Sequence, residues 1–113
     1  MNEIIIDGCV QKDCKLFEEI ANFNISSITG KYMCMDNTEK NRFTYIRVIF
    51  PYPVDEYIES MLQPGSMIRI YGKLDSEQYK TVNEKIVYNK IICANKIVRI
   101  RYDGDLKDYV EVI

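Results

Sequence analysis

Aromatic residues and an arginine share one side of the stretch NRFTYIRVIF, residues 41–50. Read in steps of two, Phe43, Tyr45 and Arg47 fall on one face, and Ile46 and Val48 fall on the other. This alternation is typical of a strand with one aliphatic face. The mixed face is either a structural cation–π pair, since strands are rich in aromatic residues, or a platform for single-stranded nucleic acid. The stretch taken alone favours the structural interpretation.

Residues suited to catalysis or metal binding are sparse. The chain has no histidine, which removes the commonest general base, and no Ser or Cys lies in a nucleophile motif. The four cysteines, at positions 9, 14, 34 and 93, show no CxxC spacing. We therefore expect free thiols, no zinc site and no cofactor, and the sequence disfavours an enzyme.

Length and composition indicate one globular domain. The chain has 113 residues, of which 47% are hydrophobic and 28% charged, and this is enough for a single core without metals or disulfides. No apolar run approaches the ~20 residues of a membrane span, and the acidic start MNEIIID does not resemble a signal peptide. We expect a cytoplasmic protein with no membrane partner.

The charge is distributed unevenly, although the net charge is only −2. Residues 67–102 hold eight Lys or Arg and three acids, whereas residues 103–113 hold four acids and one Lys. Phosphates respond to the local potential rather than to the total charge. The basic half is therefore mild support for a nucleic-acid partner.

Five strands and one helix would position these residues. Alternating or apolar patterns predict strands in 3–12, 17–28, 41–50, 67–74 and 86–102, the last interrupted near 94–95. Apolar residues at helical spacing predict a helix in VDEYIESML, 54–62, between the third and fourth strands. Turn formers predict a long loop over 29–41 and a hairpin tip over 75–85. This order predicts an all-β fold, a five-stranded OB-fold barrel, spanning 1–102, with a short acidic extension over 103–113 that we expect to pack on it.

The fourth strand, MIRIYGKL, repeats the alternation of the third. Ile68, Ile70 and Leu74 are expected to point inward. The outward side chains would then be Arg69, Tyr71 and Lys73.

Residues 2–101 resemble bacterial single-stranded DNA-binding proteins. The start NEIIIDGCVQKD is similar to that family's opening strand, and IANFNISS is similar to its second strand. TYIRVIF resembles the third strand, in which an aromatic residue stands two positions before Arg-Val. VDEYIESMLQPGSMIRIYGKL resembles the helix, Gly-Ser turn and fourth strand. The resemblance implies an OB fold that binds single-stranded DNA.

The resemblance also implies roles for individual residues. Tyr45 and Tyr79 take the places of tryptophans on which bases stack, and Tyr32 lies within a residue of a third. Arg47 takes the place of a phosphate-contacting arginine. We expect the site to extend along the fourth strand through Arg69, Tyr71 and Lys73, and to gain charge from Lys80 and Lys85.

Several departures from the family leave alternatives open. Pro51 stands where an aromatic residue is usual, with Tyr52 beside it, and two commonly basic positions are Asp75 and Glu77. The family's long acidic tail, which recruits other enzymes, has no counterpart in the ending DYVEVI. The protein could therefore be a primosome-like OB-fold accessory factor that acts mainly through protein partners. An RNA-binding OB-fold is a further alternative, since stacking tolerates any base.

The opening strand is a candidate for self-association. An edge strand as rich in isoleucine as EIIID would be an aggregation hazard if it stayed uncovered. Members of the resembled family form tetramers built from dimers. We therefore expect a symmetric homo-oligomer, a dimer or tetramer, that is closed in part through residues 3–12, with Ile4 or Ile6 at the contact.

Overall fold

The computed structural model describes residues 2–12 and 14–112, and the side chains of residues 29, 30 and 32 lie outside the described part. The described residues form seven strands and one helix. In chain order these are β1 (Ile4–Val10), β2 (Lys15–Leu16), β3 (Ala21–Met33), β4 (Glu39–Phe50), α1 (Glu56–Met61), β5 (Met67–Lys80), β6 (Ile86–Asp103) and β7 (Asp108–Glu111).

The five long strands close into a barrel. Their order is β1-β5-β6-β4-β3, and β1 pairs with β3 to complete the circle through Cys9 opposite Ser26 and Val10 opposite Ile25. All of these pairings are antiparallel except β4 with β6. The helix lies between the third and fourth long strands. The predicted five-stranded OB fold and the place of its helix are confirmed.

The core is built from alternate residues of the strands together with the end of the helix. Phe23 and Ile25 of β3, Val48 of β4, and Ile68 of β5 are fully buried. The helix begins at its cap Asp55, whose carboxylate accepts a hydrogen bond from a backbone N–H of the first turn at 2.8 Å. Its last residue, Met61, and the following cap residue, Leu62, are also fully buried in this core. Each such side chain contributes roughly 1.5–3 kcal/mol to the stability of the fold.

A β-bulge lies where the sequence predicts an interruption of the last strand. Tyr71 of β5 pairs with Lys96 of β6, but the next residue, Gly72, pairs with Ala94, so that residue 95 is extra. A side-chain carbon at Gly72 would lie only 2.3 Å from the carbonyl oxygen of Cys93. Glycine is therefore required here, and β6 continues through the bulge as one strand.

Two predicted loops are largely strand. β3 continues to Met33 and β4 begins at Glu39, so the turn between them is only 34–38, and β5 similarly continues to Lys80. The prediction that Leu74 points into the core was wrong, because its side chain is 41% exposed. The neighbouring strand β1 begins at Ile4, opposite Gly72, and so does not reach Leu74.

The C-terminal segment adds a short strand to the barrel. β7 pairs antiparallel with the end of β6, and the rings of Tyr102 and Tyr109 pack edge to face at 5.5 Å.

Among the described residues, none of the helical structure has the length and apolar character of a membrane span.

Candidate nucleic-acid interface

The outer face of β4 presents aromatic rings to solvent. Tyr45 is 69% exposed and Phe43 is 49% exposed, whereas Val48, on the opposite face, is fully buried. β4 runs antiparallel to β3 along its length, with Tyr45 opposite Ser26. The small side chain of Ser26 leaves the ring of Tyr45 uncovered. Tyr45 is therefore available to a flat ligand without any rearrangement of the core.

Arg47 lies on the same face and is held from two sides. Its Nε donates a hydrogen bond to Oδ1 of Asn22 on β3 at 2.9 Å. Its Nη1 donates to Oε1 of Glu77 on β5 at 2.7 Å, across the intervening strand β6. The side chains of Arg47 and Glu77 are 39% and 26% exposed. The guanidinium is therefore fixed in direction while part of it remains accessible.

Tyr79 shares this outer face. It follows Glu77 by two residues on β5, and alternate residues of a strand point to the same side. Its side chain is 49% exposed and its backbone lies opposite Val87 on β6. Two exposed tyrosine rings and one arginine are thus brought together on the surface formed by β4, β6 and β5, which we call the stacking face (Tyr45, Arg47, Tyr79).

The predicted lysines lie along the hairpin formed by β5 and β6, which we call the β5–β6 arm. Lys73 is exposed on β5, Lys80 is its last residue, and Lys85 belongs to the turn that follows. None of the three has an ion pair within the described part of the chain. The backbone of Tyr32 lies in β3 opposite Lys40, and its side chain is outside the described part.

Arg69 and Tyr71 lie apart from the stacking face, beside β1 and β7. Arg69 donates to both carboxylate oxygens of Asp7, at 2.7 and 3.0 Å, and to Oε2 of Glu111 at 3.3 Å. Tyr71 donates its hydroxyl to the same oxygen of Glu111. The structure thus places these two predicted site residues in an internal network with the C-terminal strand.

The network shifts the pKa values of Tyr71, Glu111 and Arg69 in the directions that hydrogen bonding predicts. The hydrogen bond to Glu111 raises the pKa of Tyr71, and the hydrogen bond from Tyr71, with help from Arg69, lowers the pKa of Glu111. The hydrogen bond to Asp7 raises the pKa of Arg69 further. The charged form of Glu111 is therefore favoured beside the charged form of Arg69.

Comparison with solved structures supports the same architecture. The chain superposes on the Plasmodium falciparum SSB in complex with ssDNA with a TM-score of 0.66 and 18% identity, covering 100% of this chain and 96% of that one. It also superposes on a small single-stranded DNA-binding protein from Streptomyces coelicolor with a TM-score of 0.66 and 15% identity, covering 88% of this chain and 95% of that one. The fold is therefore shared with these two proteins. No protein-family model matches the sequence, and no curated protein does.

Sequence reasoning missed two side chains in this region of the barrel. Asn22 orients Arg47, and its only signal in the sequence is the Ala-Asn pair at the start of β3. Tyr88 of β6 is 65% exposed, but alternation places it on the opposite face of the arm from Tyr79. The exposed Tyr52, considered as a replacement for an aromatic at Pro51, packs its ring edge to face on Phe50 at 5.3 Å.

Two of the surface cavities adjoin residues of β1, β3 and β4. A polar cleft of about 540 Å³ adjoins Arg47 and is lined also by Lys15, Asn22 and Asn24. A more apolar groove of about 730 Å³ lies along β1, where Ile5 and Phe43 contribute to its walls. The polar cleft is therefore the one that adjoins the stacking face through Arg47.

Ile5 is the outward residue of β1. It is 65% exposed, whereas Ile4 and Ile6 are half-buried and pack against the core. The sequence analysis expected Ile4 or Ile6 at the contact between chains, and the exposed side chain of this strand is that of Ile5, which lies between them. Alternation alone does not say which face of a continuous apolar run points inward.

The four cysteines are free thiols, and burial raises the pKa of Cys14. No cluster of three or more potential metal ligands occurs among residues 2–12 and 14–112.

Proposed function

We propose that this protein binds single-stranded DNA without strong sequence preference, by aromatic stacking combined with basic phosphate contacts. The observation that carries the proposal is the stacking face, where Tyr45 is 69% exposed beside Arg47 and Tyr79. Exposed rings attract unpaired bases, because every base has a π-face and duplex bases are already stacked on one another. Replication, repair and recombination are the processes that supply such strands.

The structural neighbours support the ligand class. The P. falciparum protein is described as a complex with single-stranded DNA, and the S. coelicolor protein as a single-stranded DNA-binding protein. The present chain has tyrosines and no tryptophan for stacking. A smaller ring offers less stacking area, so each platform contributes towards the lower end of about 1–3 kcal/mol per base.

The exposed lysines of the β5–β6 arm supply the electrostatic part. Lys73, Lys80 and Lys85 lie on or near the strand that carries Tyr79, and no described acid pairs with them. Each phosphate that a lysine contacts adds about 0.7 to the slope of log affinity against log salt for single strands.

The first prediction is selectivity, and it tests the proposed function directly. We expect binding to a dT oligomer to exceed binding to a duplex of matched length by about tenfold or more at moderate salt, because only unpaired bases reach the rings. A salt titration by fluorescence anisotropy, with oligo-rU in parallel, measures this and the preference between DNA and RNA. Equal affinity for the duplex would contradict stacking and leave a generic basic surface.

One observation favours the accessory-factor alternative. Both arginines that the resemblance and the strand pattern assign to the site, Arg47 and Arg69, are ion-paired with acids. Paired arginines attract phosphate less strongly, as expected of an OB-fold that binds strands weakly and acts through other proteins. The two readings differ in the absolute affinity for dT at low salt, which is high only for a dedicated strand binder.

A further inference from the structure

The ion pair between Arg47 and Glu77 lies on the proposed stacking face itself. Glu77 Oε1 accepts from Arg47 at 2.7 Å across β6. Tyr45 and Tyr79 each lie two residues from this pair on their own strands, displaced from it in the same direction along the sheet. A strand that stacks on both rings would therefore pass beside this pair. The charge of Arg47 is therefore already compensated before a ligand arrives.

We propose that Glu77 is an internal counter-ion that the ligand's phosphate must displace, and that the polar cleft beside Arg47 receives this phosphate. The inference rests on the proposed function, because it assigns the phosphate contact within that site. Glu77 then sets how much affinity Arg47 contributes, and so acts as a determinant of binding strength.

The geometry around Arg47 supports an exchange rather than a rearrangement. Asn22 holds Nε at 2.9 Å independently of Glu77, so the guanidinium keeps its direction when the carboxylate leaves. Lys15 and Asn24 line the adjoining cleft of about 540 Å³, which offers an exposed ammonium and an amide to an anion. Arginine binds carboxylate and phosphate with the same donors, so one can replace the other.

The exchange has a thermodynamic signature. Neutralising a phosphate releases condensed counterions from the strand, so salt opposes this contact, but salt also weakens the ion pair of Arg47 with Glu77 that must break first. The net salt dependence contributed by Arg47 is therefore small in the unmodified protein. Removing the charge of Glu77 restores the full contribution, which is about 0.7 in the salt slope for a single strand.

Asp75 provides a matched control. It lies two residues before Glu77 on the same strand, is exposed, and forms no ion pair within the described residues. Its carboxylate instead accepts a hydrogen bond from the backbone N–H of Ser76 at 2.7 Å. Asp75→Asn removes one negative charge from nearly the same place without releasing an arginine.

The second prediction compares Glu77→Gln, Asp75→Asn, Arg47→Gln and the double variant R47Q/E77Q, with binding to a dT oligomer measured over a range of salt. We expect E77Q to tighten binding by about two- to fivefold, which is the worth of a partly exposed ion pair, and to steepen the salt slope. D75N should tighten binding less, and R47Q/E77Q should bind as R47Q does. Glu77→Ala is a second variant, and its effect on binding should likewise depend on the presence of Arg47. Thermal unfolding checks that each protein is folded.

Two failures are distinguishable. If the unmodified protein does not prefer dT to duplex, the proposed function is wrong. If it does, but E77Q and D75N act equally, or E77Q tightens binding as much without Arg47 as with it, then Glu77 contributes only general repulsion and the exchange is refuted.

Discussion

At the scale of single residues, Tyr45 bears the proposed function most directly. Its ring is 69% exposed, while on the opposite face Val48 is fully buried and Ile46 packs against the core. Removing the ring therefore removes a contact with the ligand without opening a cavity. Arg47, on the same face, keeps its partners Asn22 and Glu77 when Tyr45 is shortened.

The third prediction follows from this exposure. Tyr45→Ala should weaken binding to a dT oligomer by roughly 1–3 kcal/mol and leave the thermal unfolding temperature nearly unchanged. Tyr57→Ala is the matched control, because Tyr57 lies on α1 and is 56% exposed. Unfolding of the Tyr45→Ala protein, or an equal loss of binding in the control, would contradict the assignment.

At the scale of elements, β7 is attached to the barrel by side chains as well as by its ladder with β6. Glu111 accepts hydrogen bonds from Tyr71 and Arg69, and its pKa is lowered from its ordinary value of 4.5, chiefly by Tyr71. An acid whose pKa is lower in the folded state than in the unfolded state stabilises the fold at pH values at which it is ionised in both states. The contribution is therefore present above pH 4.5 and is lost as the pH falls through the folded pKa.

The fourth prediction is a pH dependence of stability. Glu111→Gln should lower the free energy of unfolding near neutral pH, and its difference from the unmodified protein should shrink as the pH falls below 4.5. Chemical denaturation at a series of pH values measures this. Glu19→Gln serves as the control, because Glu19 is exposed in a bend outside the strands. A difference that stays constant at all pH values would show that the carboxylate's ionisation does not hold β7.

At the scale of the whole molecule, β1 leaves part of one edge unpaired. β5 pairs with it from Ile4 to Cys9, but β3 pairs with it only at Cys9 and Val10. Ile5 is 65% exposed beside this edge and lines the apolar groove. An unpaired edge with an exposed isoleucine is a site for strand pairing between chains. We propose that the expected homo-oligomer, dimer or tetramer, closes here, around Ile5.

The fifth prediction concerns assembly. Ile5→Lys should give monomers that bind dT more weakly, because joined copies offer a longer path to one strand. Leu106→Lys is the control, since Leu106 is 67% exposed in the turn between β6 and β7. Light scattering measures the mass of each protein. A monomeric unmodified protein at micromolar concentration would refute the contact and favour the accessory-factor reading.

The sequence by itself determined which face of a strand points into the core, where one side of that strand is apolar. It also determined the position of the helix. Alternation in residues 41–50 predicted that Tyr45 and Arg47 oppose Val48, and helical spacing predicted α1 between the third and fourth long strands. These predictions succeed because burial of alternate side chains is a local property of a strand. The prediction failed at Leu74, where burial depends on how far the neighbouring strand β1 extends.

Only the tertiary structure decided which charges are paired. Glu77 reaches Arg47 across β6 from thirty residues away, and Arg69 contacts Asp7 and Glu111 from 62 and 42 residues away. Such contacts depend on strand order, on register and on the bulge at Gly72, and none of these is specified by the alternation of residues within one strand. The sequence thus predicted the type of side chain on the stacking face, and barrel closure decided which arginine remained there and which acid it met.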